Sequence, residues 1–420
     1  MTDLETPVAA GSVATDRQDE RLRAQGAGVS GVVRSAVDRA KGGDLGILPV
    51  AAGLLVIWAV FQSLNPIFLS SANLVNLAME SVPVGVIALG IVVVLLLGQI
   101  DLSVGSVSGL SSALVAVLFV NQHLPVALAI VAAVLSGTVI GLVYGQLFNR
   151  FGIPSFVITL AGLLAFLGLQ LYVLGKEGSI NIPFDSRLVF FAQLAFVPHP
   201  LAYVLAVLAA GGLFATGLAR ARARKKAGLS GLSVQLLALR SGVLLAVLLF
   251  VTYFLNLDRG IGWMVVFFVA LVLVMHYVLT RTRFGRTLFA VGGNAEASRR
   301  AGINVKRVYT SAFVLCSTLA AIGGVLAASR LAAANQASGT GDVNLNAIAA
   351  AVIGGTSLFG GRGSAFAALL GIMVIQSISS GLTLLNLDSS YRFMVTGAVL
   401  LLAVALDSAA RRSRTSHGRA

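Results

Sequence analysis

Ionisable side chains are scarce in this sequence of 420 residues. Only 11% of the residues are charged, whereas 57% are apolar and the mean hydropathy is +0.93. Soluble domains carry about 25% charged residues, so this composition excludes an ordinary soluble protein. It indicates an integral membrane protein.

Cysteine and histidine are also rare. The single cysteine, Cys316, cannot form an intrachain disulfide, and we interpret it as a small packing residue. The four histidines, His123, His199, His276 and His417, are scattered and lack the spacing of metal ligands. No nucleophile elbow is present. We therefore expect no metal site, no catalytic residues and no enzymatic activity.

A phosphate-binding loop of the form Gly-x-x-x-x-Gly-Lys-Ser/Thr is missing. The one Gly-Lys pair, Gly175-Lys176, is followed by Glu177, and Gln170 stands where the first glycine is required. We therefore expect no cofactor in this chain, and any ATP that powers it must be bound by a partner subunit.

Long apolar runs are abundant and predict membrane-spanning helices. A helix needs about 20 residues to cross a hydrocarbon core of about 30 Å. Continuous apolar runs such as 82–97 exclude the alternating pattern of a transmembrane barrel. We predict an all-α, polytopic fold with about twelve spans, and ten to twelve are compatible with the sequence. The predicted spans are 47–64, 76–97, 105–120, 125–147, 156–174, 201–218, 235–255, 262–280, 308–330, 343–359, 364–385 and 393–407.

Basic residues cluster between the predicted spans, at 220–226, at 281–307 and at 411–420. Such clusters mark the cytoplasmic face of membrane proteins. Even numbers of spans separate them from each other and from the amino terminus, so both termini are predicted to be cytoplasmic. We predict a disordered cytoplasmic tail over 1–44, a transmembrane domain over 45–410 and a basic cytoplasmic tail over 411–420. The clusters are expected to contact anionic lipid and not nucleic acid.

Glycine is frequent, with 46 copies, and several lie four residues apart within predicted spans. Gly137, Gly141 and Gly145 form one such stripe. Small residues at this spacing let a neighbouring helix approach closely. We therefore predict tight helix packing along this stripe.

Two glycine-containing segments interrupt apolar sequence, GQIDLSVGS at 98–106 and GGTSLFGGRGS at 354–364. Irregular backbone at membrane depth must be buried in protein or face water. Both segments are therefore predicted to lie on a translocation path or at its gates. Their candidate gate glycines are Gly98, Gly105, Gly354, Gly355, Gly360 and Gly361.

Asp101, in the first of these segments, has two interpretations. It can accept backbone hydrogen bonds from Ser103 and Val104 and cap the next helix. Alternatively, an intramembrane acid beside a pore is a candidate functional group.

The charged island at 281–307 holds seven basic residues and one acid between two apolar segments. Together with three other segments, it carries a specific resemblance. GQIDLSVGS, FVITLAGLLAFLGL at 156–169, GGNAEASRRAGINV at 292–305 and AAAVIGGTSLFGGRGS at 349–364 occur in this order. This combination resembles the membrane permease subunit of ATP-binding cassette (ABC) sugar importers of the ribose, galactose, arabinose and xylose group. An insertion around 175–260 makes the chain more similar to the xylose-type permeases.

The resemblance implies a homodimeric pore in the membrane, an ABC ATPase on the cytoplasmic face and a sugar-binding protein outside. It makes 45–410 a permease domain that works by alternating access, and it makes 281–307 the loop that couples it to the ATPase. Ser298 stands where many relatives have a second alanine. The implied coupling residues are Glu296, Ala297, Ser298, Arg299, Arg300 and Gly302.

Polar residues near the predicted spans are candidates for the lining of the path. Asn and Gln side chains also join helices by hydrogen bonds, so a structural role stays open for them. The candidates are Asn76, Glu80, Gln99, Asp101, Ser103, Asn344, Asn346 and Gln376.

Other transport classes remain open at this point. A proton-coupled sugar carrier would also have twelve spans, but it needs charged relays inside the bundle, for which Glu80 and Asp101 are the main candidates. An ABC permease for a nucleoside or a branched-chain amino acid would share the mechanism and differ in cargo. Among sugars, xylose is favoured by length and overall likeness.

Overall fold

The computed structural model describes residues 48–227, 229, 233–388, 390, 391, 393–399, 401, 402 and 405. The predicted tails at 1–44 and 411–420 lie outside these residues, as do parts of the last predicted span, 393–407.

The described chain is largely helical. Its helices are α1 (Leu48–Leu64), α2 (Ser71–Leu95), α3 (Val104–Ala116), α4 (Val126–Phe151), α5 (Ser155–Leu174), α6 (Arg187–Val189), α7 (His199–Lys226), α8 (Val234–Leu255), α9 (Trp263–Arg281), α10 (Arg283–Gly293), α11 (Ala295–Arg300), α12 (Val305–Leu331), α13 (Val343–Ile353) and α14 (Ala365–Leu384). A π-helical turn extends α3 over Val117–Asn121, and another follows α6 over Phe190–Leu194. Strands β1 (Ser179–Asn181) and β2 (Ala333–Asn335) pair in antiparallel register, with Ile180 opposite Ala334.

Nine of the described helices, counting α3 with its π-helical turn, are long and apolar enough to cross a membrane. The prediction of an all-α, polytopic membrane protein is confirmed. Two shorter apolar helices, α1 and α13, fall on predicted spans as well.

The chain divides into two compact units. One contains α7 and α8, which pack against each other, with Gly217 of α7 against the Leu237 side chain. Helix α7 continues to Lys226, whereas the predicted span stops at 218. The basic residues at 220–226 therefore lie in the last turns of a helix and not in the loop after it.

The other unit comprises 46–197 and 257–412. At its centre α12 packs against α2, α3 and α4, and α14 packs against α1, α2 and α13. Large side chains such as Leu89 of α2, and Phe313 and Leu319 of α12, are almost fully buried there.

The glycine stripe on α4 packs directly on α12, as predicted. A Cβ atom at Gly141 would lie 2.5 Å from the Phe313 carbonyl oxygen and 2.6 Å from the Val314 Cα. Gly137 and Gly145 lie equally close to Ser317 and Thr310. The backbones of α4 and α12 therefore approach so closely that only glycine fits at these three positions of α4.

The predicted span at 343–359 differs from the structure. Helix α13 ends at Ile353, and its 11 residues rise only about 16 Å, too little to cross a hydrocarbon core of about 30 Å. The glycines from Gly354 onward interrupt the helix, and Gly355, Gly360 and Gly361 all have positive φ. Apolar character alone made this stretch resemble a full span.

Replacing Gly141 with Leu should disrupt the packing of α4 on α12. The larger side chain has no space, so we expect a loss of about 3 kcal/mol or more in stability and a low yield of monodisperse protein. Gly168→Leu on α5 is the matched control, because a Cβ at Gly168 has no atom within 4 Å. Size-exclusion chromatography in detergent measures both variants, and equal yields would contradict the packing.

Candidate functional site

The first glycine-containing break, 98–106, meets the start of α13 inside the helical bundle. The chain leaves α2 through Gly98, at φ +68°, and enters α3 after Ser103. At the start of α13, the Asn344 Nδ2 donates a hydrogen bond of 2.7 Å to the Leu102 carbonyl oxygen. Gly105 of α3 packs against the Gly339 carbonyl. The amino-terminal ends of α3 and α13 are thus brought together. The first segment is buried around Asp101 and Ser103, whereas Gly355 and Phe359 of the second segment are exposed.

From this meeting point the two short helices run to opposite ends of the bundle. Helix α3 runs beside the carboxyl-terminal half of α12, where the Ser112 hydroxyl donates to the Gly324 carbonyl at 2.7 Å. Helix α13 runs back toward the start of α14, where Gly354 packs on the Ala367 carbonyl. Each break therefore combines an irregular stretch with a short helix, an arrangement found in transporters with discontinuous helices.

Asp101 is fully buried at the first break. Its Oδ1 accepts hydrogen bonds from the Ser103 N–H at 2.8 Å and from the Ser103 hydroxyl at 2.6 Å. Its Oδ2 has no hydrogen-bond partner among the described residues. The Leu102 N–H donates to the Thr159 hydroxyl at 3.1 Å, which ties the break to α5. Asp101 thus holds the turn that leads into α3, with the Ser103 hydroxyl in place of the expected Val104 N–H.

The helices α2 and α14 share a polar face. The Gln376 Nε2 donates to Glu80 Oε2 at 2.8 Å, and the Ser380 hydroxyl donates to Asn73 Oδ1 at 3.0 Å. Glu80 is exposed. Asn73 and Glu80 lie two turns apart on one side of α2, so these bonds line a single face. We call Asn73, Asn76, Glu80, Gln376 and Ser380 the polar face.

Arg259 approaches the same face from the segment before α9. Its Nη2 donates to the Asn76 Oδ1 at 2.6 Å, and its Nε lies 3.2 Å from Asp258 Oδ2. The guanidinium also lies over the Phe196 ring, 5.4 Å from its centroid. A cation therefore borders the polar face and is already engaged by a carboxylate, an amide and an aromatic ring.

The predicted path residues fall into two groups in the structure. Asn76, Glu80 and Gln376 lie on the polar face, while the others lie where the first break meets the start of α13. Asp101 and Ser103 are buried there, and Asn346 donates from Nδ2 to Asp342 Oδ2 at 3.1 Å within the first turn of α13. The second group is Gln99, Asp101, Ser103, Asn344 and Asn346.

Sequence reasoning missed Asn73, Ser380 and Arg259. Helical spacing carried a signal for the first two, since Asn73 precedes Glu80 by two turns and Ser380 follows Gln376 by one. Nothing in the local sequence of Arg259 indicates that it reaches Asn76.

A second feature joins the breaks to the charged island. The Gly361 N–H donates to the Leu96 carbonyl oxygen at 2.8 Å, and Gly292 at the end of α10 packs directly on the same carbonyl. A Cβ at Gly360 would lie 2.7 Å from the Gly292 carbonyl and 2.9 Å from the Gly98 nitrogen. We call Leu96, Gly98, Gly292, Gly360 and Gly361 the glycine junction. It places both breaks in direct backbone contact with α10.

The island itself folds into the two short helices α10 and α11. Helix α10 buries Leu288 and Val291 against the bundle. The Asn294 Oδ1 caps α11 by accepting from the Ala297 N–H at 2.9 Å. On α11 only Ser298 is buried, so a small residue is required there.

The rest of α11 faces outward. Glu296 forms exposed ion pairs with Arg299 at 2.7 Å and with Arg300 at 3.3 Å. Gly302 has φ +84° and follows α11 as a left-handed helix terminus, where the Ile303 N–H donates to the Ser298 carbonyl at 3.0 Å. Apart from the buried Ser298, the implied coupling residues thus form one compact, exposed knob.

Comparison with known proteins gives a consistent result. A family model described as the branched-chain amino acid transport system permease component matches residues 73–404. The xylose transport system permease protein of Escherichia coli (strain K12) is 33% identical over 373 residues, which cover 88% of this chain and 93% of that protein. The Haemophilus influenzae xylose permease is 30% identical over 370 residues, covering 88% of this chain and 98% of that protein. The ribose import permease of Bacillus subtilis is 33% identical over 355 residues, covering 84% and 90%. No solved structure matches this chain.

Substitutions of Asp101 should separate its two interpretations. Asp101→Asn keeps an oxygen that can accept both Ser103 bonds, so we expect transport close to wild type. Asp101→Leu leaves both donors without an acceptor and should lower stability by about 2 kcal/mol. Unfolding in detergent micelles and uptake in cells measure the two effects. A stable Asp101→Asn variant that no longer transports would instead assign a role to the charge.

Proposed function

As a member of the permease family described by that model, this chain is a multi-pass sugar permease of the cell membrane, and we propose that it imports a monosaccharide. We propose xylose as the favoured sugar. The xylose and ribose permeases that match most of its length support a sugar as cargo. The two xylose permeases, matched over 88% of this chain, support xylose among sugars.

The proposal extends to the energy source, a separate ABC ATPase that contacts α11 from the cytoplasm. The observation that carries it is the continuous backbone path from the exposed knob on α11, through α10, to the glycine junction. The sequence lacks a phosphate-binding loop, so we expect the chain to bind no cofactor of its own and to be driven by contact with the ATPase. The ion pairs of Glu296 with two arginines give the ATPase a mixed-charge surface to recognise.

Transport then proceeds by alternating access. Closure of the ATPase would move α11 and α10. Gly292 would transmit the shift to Leu96, just before the first break, and to Gly361 within the second. The irregular segments would change shape there, because glycines with positive φ tolerate rotation that other residues resist. No covalent bond in the sugar changes.

The polar face provides groups suited to a sugar. Amide, carboxylate and hydroxyl groups of Asn76, Glu80 and Ser380 can donate to or accept from sugar hydroxyls. Glu80 is exposed, so we propose that a second copy of the chain faces it and that the two polar faces enclose the path. An extracytoplasmic binding protein would deliver the sugar, and the path itself would bind it weakly.

A branched-chain amino acid is the second candidate cargo. Arg259 borders the polar face and could pair with a substrate carboxylate. Against it, that guanidinium is already held by Asp258 and Asn76, and substrate would have to displace one of them.

The test is uptake of labelled xylose by cells with and without this gene, treated separately with arsenate, which depletes ATP, and with a protonophore. We expect gene-dependent uptake that fails with arsenate and survives the protonophore. Uptake that the protonophore abolishes while ATP is maintained would contradict ATP as the energy source and support a proton-coupled carrier.

Competition by unlabelled substrates tests the cargo in the same cells. We expect excess xylose to block uptake and excess leucine to leave it unchanged. Gene-dependent uptake of labelled leucine without uptake of xylose would overturn the sugar and support the amino acid.

A further inference from the structure

An open groove of about 1190 Å³ lies between α4, α9 and α12, and its lining includes no residue of the polar face or the glycine junction. Its walls are apolar over most of their length. Leu271 and Met275 of α9 stand on one side, and Leu315 and Ile322 of α12 stand on the other. A sugar would find few hydrogen-bonding partners along these walls.

One end of the groove is basic and polar. Lys306 and Arg307, at the start of α12, are exposed and line this end. Neither forms a salt bridge within the described part of the chain, and no acidic residue lines the groove. Asn149 of α4 also lines this end, and its Nδ2 donates at 2.8 Å to both the Lys306 carbonyl and the Thr310 hydroxyl.

The groove therefore has a polarity along its length. From Lys306 to Ile322, α12 rises by about 24 Å, from two exposed cations to a mainly apolar end at Leu319 and Ile322. Lys306 and Arg307 also belong to the basic island at the predicted cytoplasmic face. An occupant must combine an anionic group at one end with an apolar portion of about this length. Basic pockets between membrane helices on the cytoplasmic side commonly hold anionic lipid headgroups.

We propose that this groove binds an anionic phospholipid, with the phosphate on Lys306 and Arg307 and an acyl chain between α9 and α12. This site is independent of the proposed cargo and of its energy source. The ammonium of Lys306 and the guanidinium of Arg307 can donate to the phosphate oxygens, and the apolar walls complement the chain. Thr282 and Phe284, at the start of α10, also line the groove, so the lipid would lie beside the helix that leads to the knob.

Native mass spectrometry of the purified full-length protein tests the site, with phosphatidylglycerol or phosphatidylcholine of identical chains added in detergent. We expect tighter binding of phosphatidylglycerol. Removing both charges in Lys306→Gln/Arg307→Gln should weaken it about 30-fold, from about 1 kcal/mol per basic residue. The matched control, Arg220→Gln/Arg222→Gln on α7, removes the same charge elsewhere and should change binding less than about twofold.

A third variant tests the apolar wall. Val274 lines the groove on α9 and is 56% exposed, so Val274→Trp should fill the groove without disturbing the fold. We expect it to reduce binding of both lipids. Unchanged phosphatidylglycerol binding in this variant or in the Lys306/Arg307 variant would overturn the site, as would equal loss in the Arg220/Arg222 control. If the variants lose a dimer and keep the bound lipid, the groove is instead a contact with a second copy of the chain.

Discussion

Backbone that leaves the helical conformation inside a membrane must find its hydrogen bonds within the protein, and this constraint organises the molecule. The first break satisfies it through hydrogen bonds to neighbouring helices, and the two breaks contact each other at the glycine junction. Leu102 shows the principle, since its N–H donates to Thr159 and its carbonyl accepts from Asn344. Asp101 completes the turn by accepting twice from Ser103. Lipid offers no such partners, so the first break depends on α5 and α13 for its hydrogen bonds.

Close approach of the breaks requires small residues, which explains the glycines at their contacts. Gly105 packs against Gly339, and Gly360 lies within van der Waals distance of Gly98 and Gly292. Because these contacts are made by backbone atoms, a displacement of α10 cannot be absorbed by side-chain rotation. The glycines that allow this packing therefore also let a movement of the exposed knob reach the breaks through backbone contacts alone.

Much of this was accessible from sequence because it depends on local pattern. Apolar runs located the membrane helices, interruptions by glycine located both breaks, and Asn294 with Gly302 bounds a short helix in the charged island. The rest depends on which segments meet. The contact of Asn344 with Leu102 joins residues 242 positions apart, and no periodicity encodes it. Helix α13 was predicted too long because its residues are as apolar as those of a full span, and its termination depends on the packing of Gly354 against α14.

The central claim is that α10 transmits movement to the breaks through Gly292, and two neighbouring glycines test it most directly. A Cβ at Gly292 would overlap the Leu96 carbonyl, whereas a Cβ at Gly293 has no atom within 4 Å. The measurement is sugar transported per ATP hydrolysed by the complex reconstituted in vesicles with its ATPase and binding protein. The account predicts that Gly292→Ala lowers this ratio severalfold while ATP hydrolysis continues, and that Gly293→Ala leaves it unchanged. Equal ratios for the two variants would contradict transmission through the glycine junction.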